Sequence, residues 1–367
     1  MTAPPPTPPD AHEPLNRPRR KLIDYMPPAF SAPRYRLFAA GQALSVLGSW
    51  IQQVALAWLV FRITGSVFLL GLTGFMLQIP HLFVAPVAGF LIDRLPRTAT
   101  LIAINIWLAI LALCLAVAAV SGVTRVEVYL TLAALIGLGN ACEAPTRQSL
   151  VGAIVEDRKL LPSAIGFNSV MFNTGRMVGP AIAGVLLAHF SEAICFVVNA
   201  LSFIAIIGAL VAMRLPESRT LALPTGRRLL IKESIKHLTS LPVAKYILPS
   251  ATAIALCALP LNQMMPSISV TLFGGSAGLV GALLSASGIG ALSAALFLSM
   301  QRSHRAQYHV VQVSPIIAGM ALMAFSQSWS LWLSLPLLAL LGAFVPRPRC
   351  RPTPCSNSQW TTAGGAA

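Results

Sequence analysis

Adjacent amides occur twice inside stretches of this chain that are otherwise apolar, as Gln52-Gln53 and as Asn262-Gln263. Further polar intrusions are Arg176, with Asn168 and Asn173 upstream of it, and the acid Glu143. An amide can donate and accept hydrogen bonds without carrying charge, so such groups either hold a polar ligand or bond to one another. An arginine in the same setting attracts an anion or pairs with a carboxylate. No lysine follows a glycine, which removes the phosphate-cradling GxxxxGK[ST] loop and with it ATP hydrolysis. No HExxH string and no paired-cysteine metal site accompanies these residues. The chemistry on offer is recognition of a polar or anionic small molecule, without a cofactor and without an enzymatic cluster.

The elements that must carry these residues are apolar stretches of membrane-spanning length. About 20 apolar residues match the hydrocarbon thickness of a bilayer. Ten such stretches are read at 37–61, 66–92, 98–121, 126–150, 162–188, 193–213, 247–271, 277–300, 308–325 and 329–345. Scored against that topology, 23 of the 26 Lys and Arg residues fall on one side, the other holding Arg62 and Arg125, with Arg176 inside a span. The basic side is cytoplasmic by the positive-inside rule, which places the N-terminus in the cytoplasm and the chain in the cell membrane. A composition 56% apolar and 10% charged excludes a water-soluble enzyme. The net charge of +15 sits in short loops, where it sets orientation, so nucleic acid is not the expected partner.

Depth separates the polar residues. Gln52 and Gln53 lie 15 and 16 residues into the first span, and Asn262 and Gln263 lie 15 and 16 residues into the seventh, with Pro260 and Pro266 flanking the second pair. Adjacent amides are costly against lipid, so one of each pair is expected to face an internal cavity, with bonding between helices as the alternative. Arg176 lies about 22 Å from the cytoplasmic start of its span at 1.5 Å per residue. It is a candidate for attracting an anionic substrate or for pairing with Glu143, an acid within span four. Glu143 lies near the cytoplasmic end of span four, so that pair would require unequal tilts.

Between and around the spans, residues 1–36 carry ten of the 28 prolines and no apolar signal region, and read as a disordered basic cytoplasmic tail. The connection 214–246 holds Leu230, Ile231, Ser234, Ile235 and Leu238 at helical spacing, read either as a short helix at the inner leaflet or as a solvated linker. The six cysteines read as packing residues.

Six spans, a long connection and four more spans form an arrangement that resembles the major facilitator superfamily. Three strings carry the resemblance. Gly89-Phe90-Leu91-Ile92-Asp93-Arg94-Leu95-Pro96-Arg97 is similar to the family's loop signature after span two, with Pro96 where glycine is usual. Gly175-Arg176-Met177-Val178-Gly179-Pro180-Ala181-Ile182-Ala183-Gly184 resembles the string of its antiporters, with Ala183 replacing one glycine. Ala144-Pro145-Thr146-Arg147-Gln148-Ser149-Leu150, followed by Asn168, Asn173 and Arg176, is similar to a branch of bacterial siderophore exporters and secretion permeases.

The resemblance implies an all-α integral membrane bundle, with a six-helix half at 37–213, a cytoplasmic linker at 214–246 and an incomplete four-helix half at 247–345. It implies a gating loop of Gly89, Asp93, Arg94 and Arg97, and a hinge and seal at Gly175, Arg176, Gly179, Pro180 and Gly184. Under the repeat, Gln52-Gln53 and Asn262-Gln263 are equivalent positions beside a midplane cavity, with Asn168, Asn173 and Arg176 completing the candidate substrate set. The implied activity is export of a drug-like or siderophore-like small molecule by alternating access, driven by an ion gradient with protons as the candidate coupling ion. An uptake permease of the same fold and an inactive membrane protein are the competing expectations. Residues 346–367 lose the apolar pattern, and a shift of reading frame between about Phe344 and Arg351 accounts for the loss; a chain without two further spans is expected to be poorly stable or inactive.

Overall fold

The computed structural model describes residues 28–92, 95–155, 160–214, 261–300 and 316–343. A short 3-10 turn at Pro28–Ser31 leads into the ten helical elements that occur among the described residues. These are α1 (Pro33–Thr64), α2 (Val67–Ile92), α3 (Arg97–Val120), α4 (Val126–Ile154), α5 (Leu161–His189), α6 (Glu192–Ala212), α7 (261–273), α8 (Ala277–Met300), α9 (Ile316–Ser326) and α10 (Leu331–Ala343). Among the described residues α1 to α6 and α8 are long and apolar enough to cross a membrane, and no strand occurs. The spans read at 37–271 thus have helices in register with them, apart from 247–260, which lie outside the described residues.

Local chemistry sets the helix ends. Pro33 occupies the first turn of α1, where its missing N–H is no loss, and Gly65 closes the helix at φ +60° with its N–H donating to the Phe61 carbonyl at 2.7 Å. Ser66 then accepts from Leu69 N at the start of α2. The α7–α8 turn uses Gly274 at φ +56°.

Packing divides the helices by neighbour. α1 lies along α5 and α6, α3 along α4 and α6, and α2 along α4, which joins α1–α6 into one bundle. α8 packs against α5 on one side and α10 on the other. Close approach is achieved with glycine: a β-carbon on Gly137 of α4 would lie 2.5 Å from the Leu77 carbonyl of α2. Gly290 and Gly342 bring α8 and α10 closer still, against the backbones of Ala339 and Ser287. Leu56, Leu59, Val60, Leu115, Phe196 and Ile206 are fully buried between the helices, whereas Phe68, Phe83, Val120, Leu201, Trp329 and Trp332 are exposed on the outer face, where lipid is the solvent.

One expectation is corrected. The tail read as disordered over 1–36 is ordered from Pro28, because Phe30 stacks edge-on against Tyr35 and Phe167 and the Tyr35 hydroxyl donates to the Ala164 carbonyl at 3.1 Å. Arg147, near the cytoplasmic end of the span read at 126–150, lies inside a helix that continues through Pro145 to Ile154, and only 5% of its surface is exposed. The connection 215–246, with its candidate inner-leaflet helix, and residues 344–367 lie outside the described residues.

Candidate transport site

Gln53, Asn262 and Gln263 stand together where α1 meets α7, and Arg176 of α5 faces the same point. The void they share has a volume of about 20 Å³, room for about one water. Trp50 and Pro266 close it on the apolar side. One member of the first amide pair, Gln53, and both members of the second thus border one void, 210 positions apart in sequence. Gln263 is buried and packs on Gly74 of α2, while its Nε2 finds no hydrogen-bond partner among the described residues. An unmet buried amide donor is costly and marks a place where a ligand or water is expected.

A much larger cavity of about 850 Å³ lies on the other side of these amides. It is lined from α1 by Gln42, Ser45, Ser49 and Gln53, and from α2 and α4 by Gln78, His81, Asn140 and Glu143. Phe75, Phe172 and Phe203 supply an apolar wall. That volume falls in the range of about 300–1,000 Å³ typical of small-molecule sites. It extends toward the end of the bundle where α1 begins and α4 ends, as the positions of Gln42 and Arg147 along their helices show.

The halves touch at the opposite end. Gly184 of α5 meets Gly278 and Gly281 of α8, and a β-carbon on Gly281 would lie 2.6 Å from the Pro180 carbonyl. Pro180 has no N–H to give the Arg176 carbonyl one turn back, and Gly288 of α8 packs beside that oxygen. Gly175 and Gly179 receive Val46 and Trp50 of α1 on another face of α5. The small-residue string therefore seats α5 against α1 and α8 together.

Other candidate residues are placed differently. Gln52 turns away from Gln53 and accepts a hydrogen bond from Asn199 Nδ2 at 2.8 Å, with Ser202 bonding Asn199 in turn. Asn173 is buried and donates back to the Ser169 carbonyl of its own helix. Asn168 accepts from Arg147 Nη1 at 3.0 Å. Glu143 does not wait for Arg176: its carboxylate takes Arg147 Nε at 2.9 Å, and the guanidinium lies 4.4 Å over the Phe172 ring. The reason is spacing, since an i,i+4 pair on one helix needs no tilt. Of the loop string, Gly89 lies in α2, Arg97 opens α3 and donates to the Ser149 carbonyl at 3.5 Å, and Asp93 and Arg94 lie outside the described residues.

Sequence reading missed Arg147, His81, Asn199 and Trp50. A signal existed for His81, which follows Gly74 and Gln78 on one face of α2 at helical spacing. Gly274-Gly275-Ser276-Ala277-Gly278 has the GxSxG spacing of a hydrolase nucleophile turn, but here it joins two helices, and the Ser276 carbonyl accepts from Ser269.

The sequence profile of the transmembrane secretion effector family matches residues 27–345. The chain belongs to this family of major facilitator superfamily transporters. Among curated relatives it is similar to the staphyloferrin A transporter of Staphylococcus aureus, 25% identical over 296 residues, covering 78% of this chain and 72% of that one. It is also similar to macrolide efflux protein A of Streptococcus pyogenes, 24% identical over 245 residues, covering 65% of this chain and 59% of that relative. Its fold resembles the inward-facing, unoccupied crystal structure of a bacterial homologue of the human lysosomal transporter Spinster, at TM-score 0.65 and 16% identity, covering 85% and 74% of the two chains. A bacterial homologue of the iron transporter ferroportin, also inward-facing, superposes at TM-score 0.63 and 14% identity over 85% of this chain and 80% of that one. This transporter is a multi-pass membrane protein of the major facilitator fold, not an enzyme.

Proposed function

We propose that this chain exports a small amphipathic molecule from the cytoplasm across the cell membrane by alternating access, driven by an ion gradient. The observation that carries the reading is the gathering of Gln53, Asn262, Gln263 and Arg176, from both halves of the bundle, between an open cavity and a closed end. With the basic ends of the helices cytoplasmic, the cavity faces inward and the α5–α8 seal faces outward, which is the loading state of an exporter. The polar lining with an aromatic wall suits a substrate that is itself part apolar. Two relatives support the substrate class, one named for a siderophore and one for macrolides.

Expression in a bacterium lacking its own efflux pumps tests this with erythromycin and staphyloferrin A as probes. Lower accumulation of one probe than in vector-only cells is expected, with the difference lost on Gln263→Ala. Equal accumulation of both, with the chain present in the membrane, would contradict the reading.

A further inference from the structure

His81 on α2 and Glu143 on α4 line the same cavity from neighbouring helices. Both helices run in the same direction by the alternation of spans, and their backbones touch at Leu77 and Gly137. From that contact His81 lies four residues further along and Glu143 six, so at 1.5 Å per residue their levels differ by about 3 Å. His81 Nδ1 is buried and closes no well-formed hydrogen bond among the described residues, the nearest acceptor being the Leu77 carbonyl one turn back. Glu143 is half the opposite case: one oxygen is held by Arg147 while the residue borders the cavity. Arg147 keeps two supports that do not depend on Glu143, namely Asn168 and the Phe172 face.

Among the described residues, the charged and titratable groups around Glu143 are few. α4 itself brings Arg147 and Cys142, α2 brings His81, and α3 brings Arg97, which is bonded to Ser149 nearer the helix end. α1 and α5 offer amides, hydroxyls and aromatic rings at this cavity. The carboxylate can therefore lose its charge without dismantling the arginine's site.

We propose that Glu143 is the proton-binding group of the transport cycle and that His81 exchanges that proton with it across the cavity. The inference rests on the export reading and names its coupling site. In the step, an imidazolium at His81 gives its proton to a Glu143 oxygen; the imidazole becomes neutral, the carboxylate becomes a neutral acid, and Arg147 is left without its counter-ion. The Glu143–Arg147 site passes from no net charge to one positive charge, and two charge states of one buried site favour different packing of α4 against α5.

The test uses the full chain in lipid bilayers with the proton as the only ligand. Infrared difference spectra follow the protonated-acid carbonyl band against pH. Spin labels at Val67→Cys and Leu272→Cys, in a background with the native cysteines replaced by serine, follow the outer separation of α2 and α7. The expected result is a pH-dependent band and a pH-dependent distance sharing one midpoint. Glu143→Gln should remove that band and hold the distance at its low-pH value throughout, whereas His81→Gln should keep both titrations with a displaced midpoint. Wild-type titration of band and distance in Glu143→Gln would overturn the proposal, and so would a distance independent of pH in the unmodified chain. An unchanged midpoint in His81→Gln would remove His81 from it. If probe export persists while the distance ignores pH, the proton site fails and export stands; if the pH titration holds without export, only the export reading fails.

Discussion

The side chain of Gln263 occupies the space that a β-carbon on Gly74 would need: that carbon would lie 2.7 Å from Gln263 Cγ and 3.1 Å from Cδ. The contact joins α2 to α7, and hence the two halves, on the closed side of the cavity. Gly74→Leu should therefore hold the outer ends of α2 and α7 apart, because overfilling a close-packed contact costs about 1–3 kcal/mol. Spin-label distances between Val67→Cys and Leu272→Cys should lengthen in Gly74→Leu, and an unchanged distance distribution would show that this contact does not gate.

The seal between α5 and α8 should be equally intolerant of bulk. Gly281→Leu would drive a side chain into the Pro180 carbonyl and Gly184. Loss of about 1–3 kcal/mol of stability is expected, together with loss of probe export. Thermal unfolding of the detergent-solubilised variant against Gly208→Leu, where a β-carbon meets nothing within 4 Å, separates the seal from a general effect of leucine on helix packing.

The ion pair on α4 should show the asymmetry of buried charges. Glu143→Ala strands Arg147 with its amide and aromatic contacts alone, and removing one partner of a buried pair costs about 3–5 kcal/mol. The double variant Glu143→Ala/Arg147→Met should recover much of that loss, since no charge is then left unpaired. Chemical denaturation of the single and double variants measures the difference, and equal destabilisation would mean that the pair is not a unit.

A smaller effect is expected at Gln52 and Asn199, whose amides bond at 2.8 Å between α1 and α6. Hydrogen bonds between membrane helices average about 0.6 kcal/mol. A double-mutant cycle with Gln52→Ala and Asn199→Ala, measured by chemical denaturation, should return a coupling of about that size.

Much of the bundle was legible because a membrane span is a long-range average: hydropathy over about 20 residues survives local irregularities such as Pro180 within α5. The meeting of Gln53 with Asn262 and Gln263 was legible too, since equal depth in equivalent spans depends on counting residues. The partners of single polar groups were not. Gln52 and Gln53 are neighbours in sequence but point to different helices, and which one reaches Asn199 depends on helix rotation. Arg147 falls within the span read at 126–150, but its burial against Phe172 depends on which face of the helix it occupies beyond Pro145, which a count of apolar residues does not give. A lone histidine such as His81 carries no pattern of its own; its placement beside the level of Glu143 follows only from the Leu77–Gly137 contact.

Export through this cavity is tested most directly by flux in inside-out membrane vesicles under an imposed ion gradient, with radiolabelled erythromycin and staphyloferrin A. Accumulation of one probe inside those vesicles, abolished by Gln263→Ala and by Gly281→Leu, is the result expected of an outward-directed transporter. Accumulation only in right-side-out vesicles would make the chain an uptake permease, and no gradient-driven flux of either probe in either orientation would contradict export of these two classes.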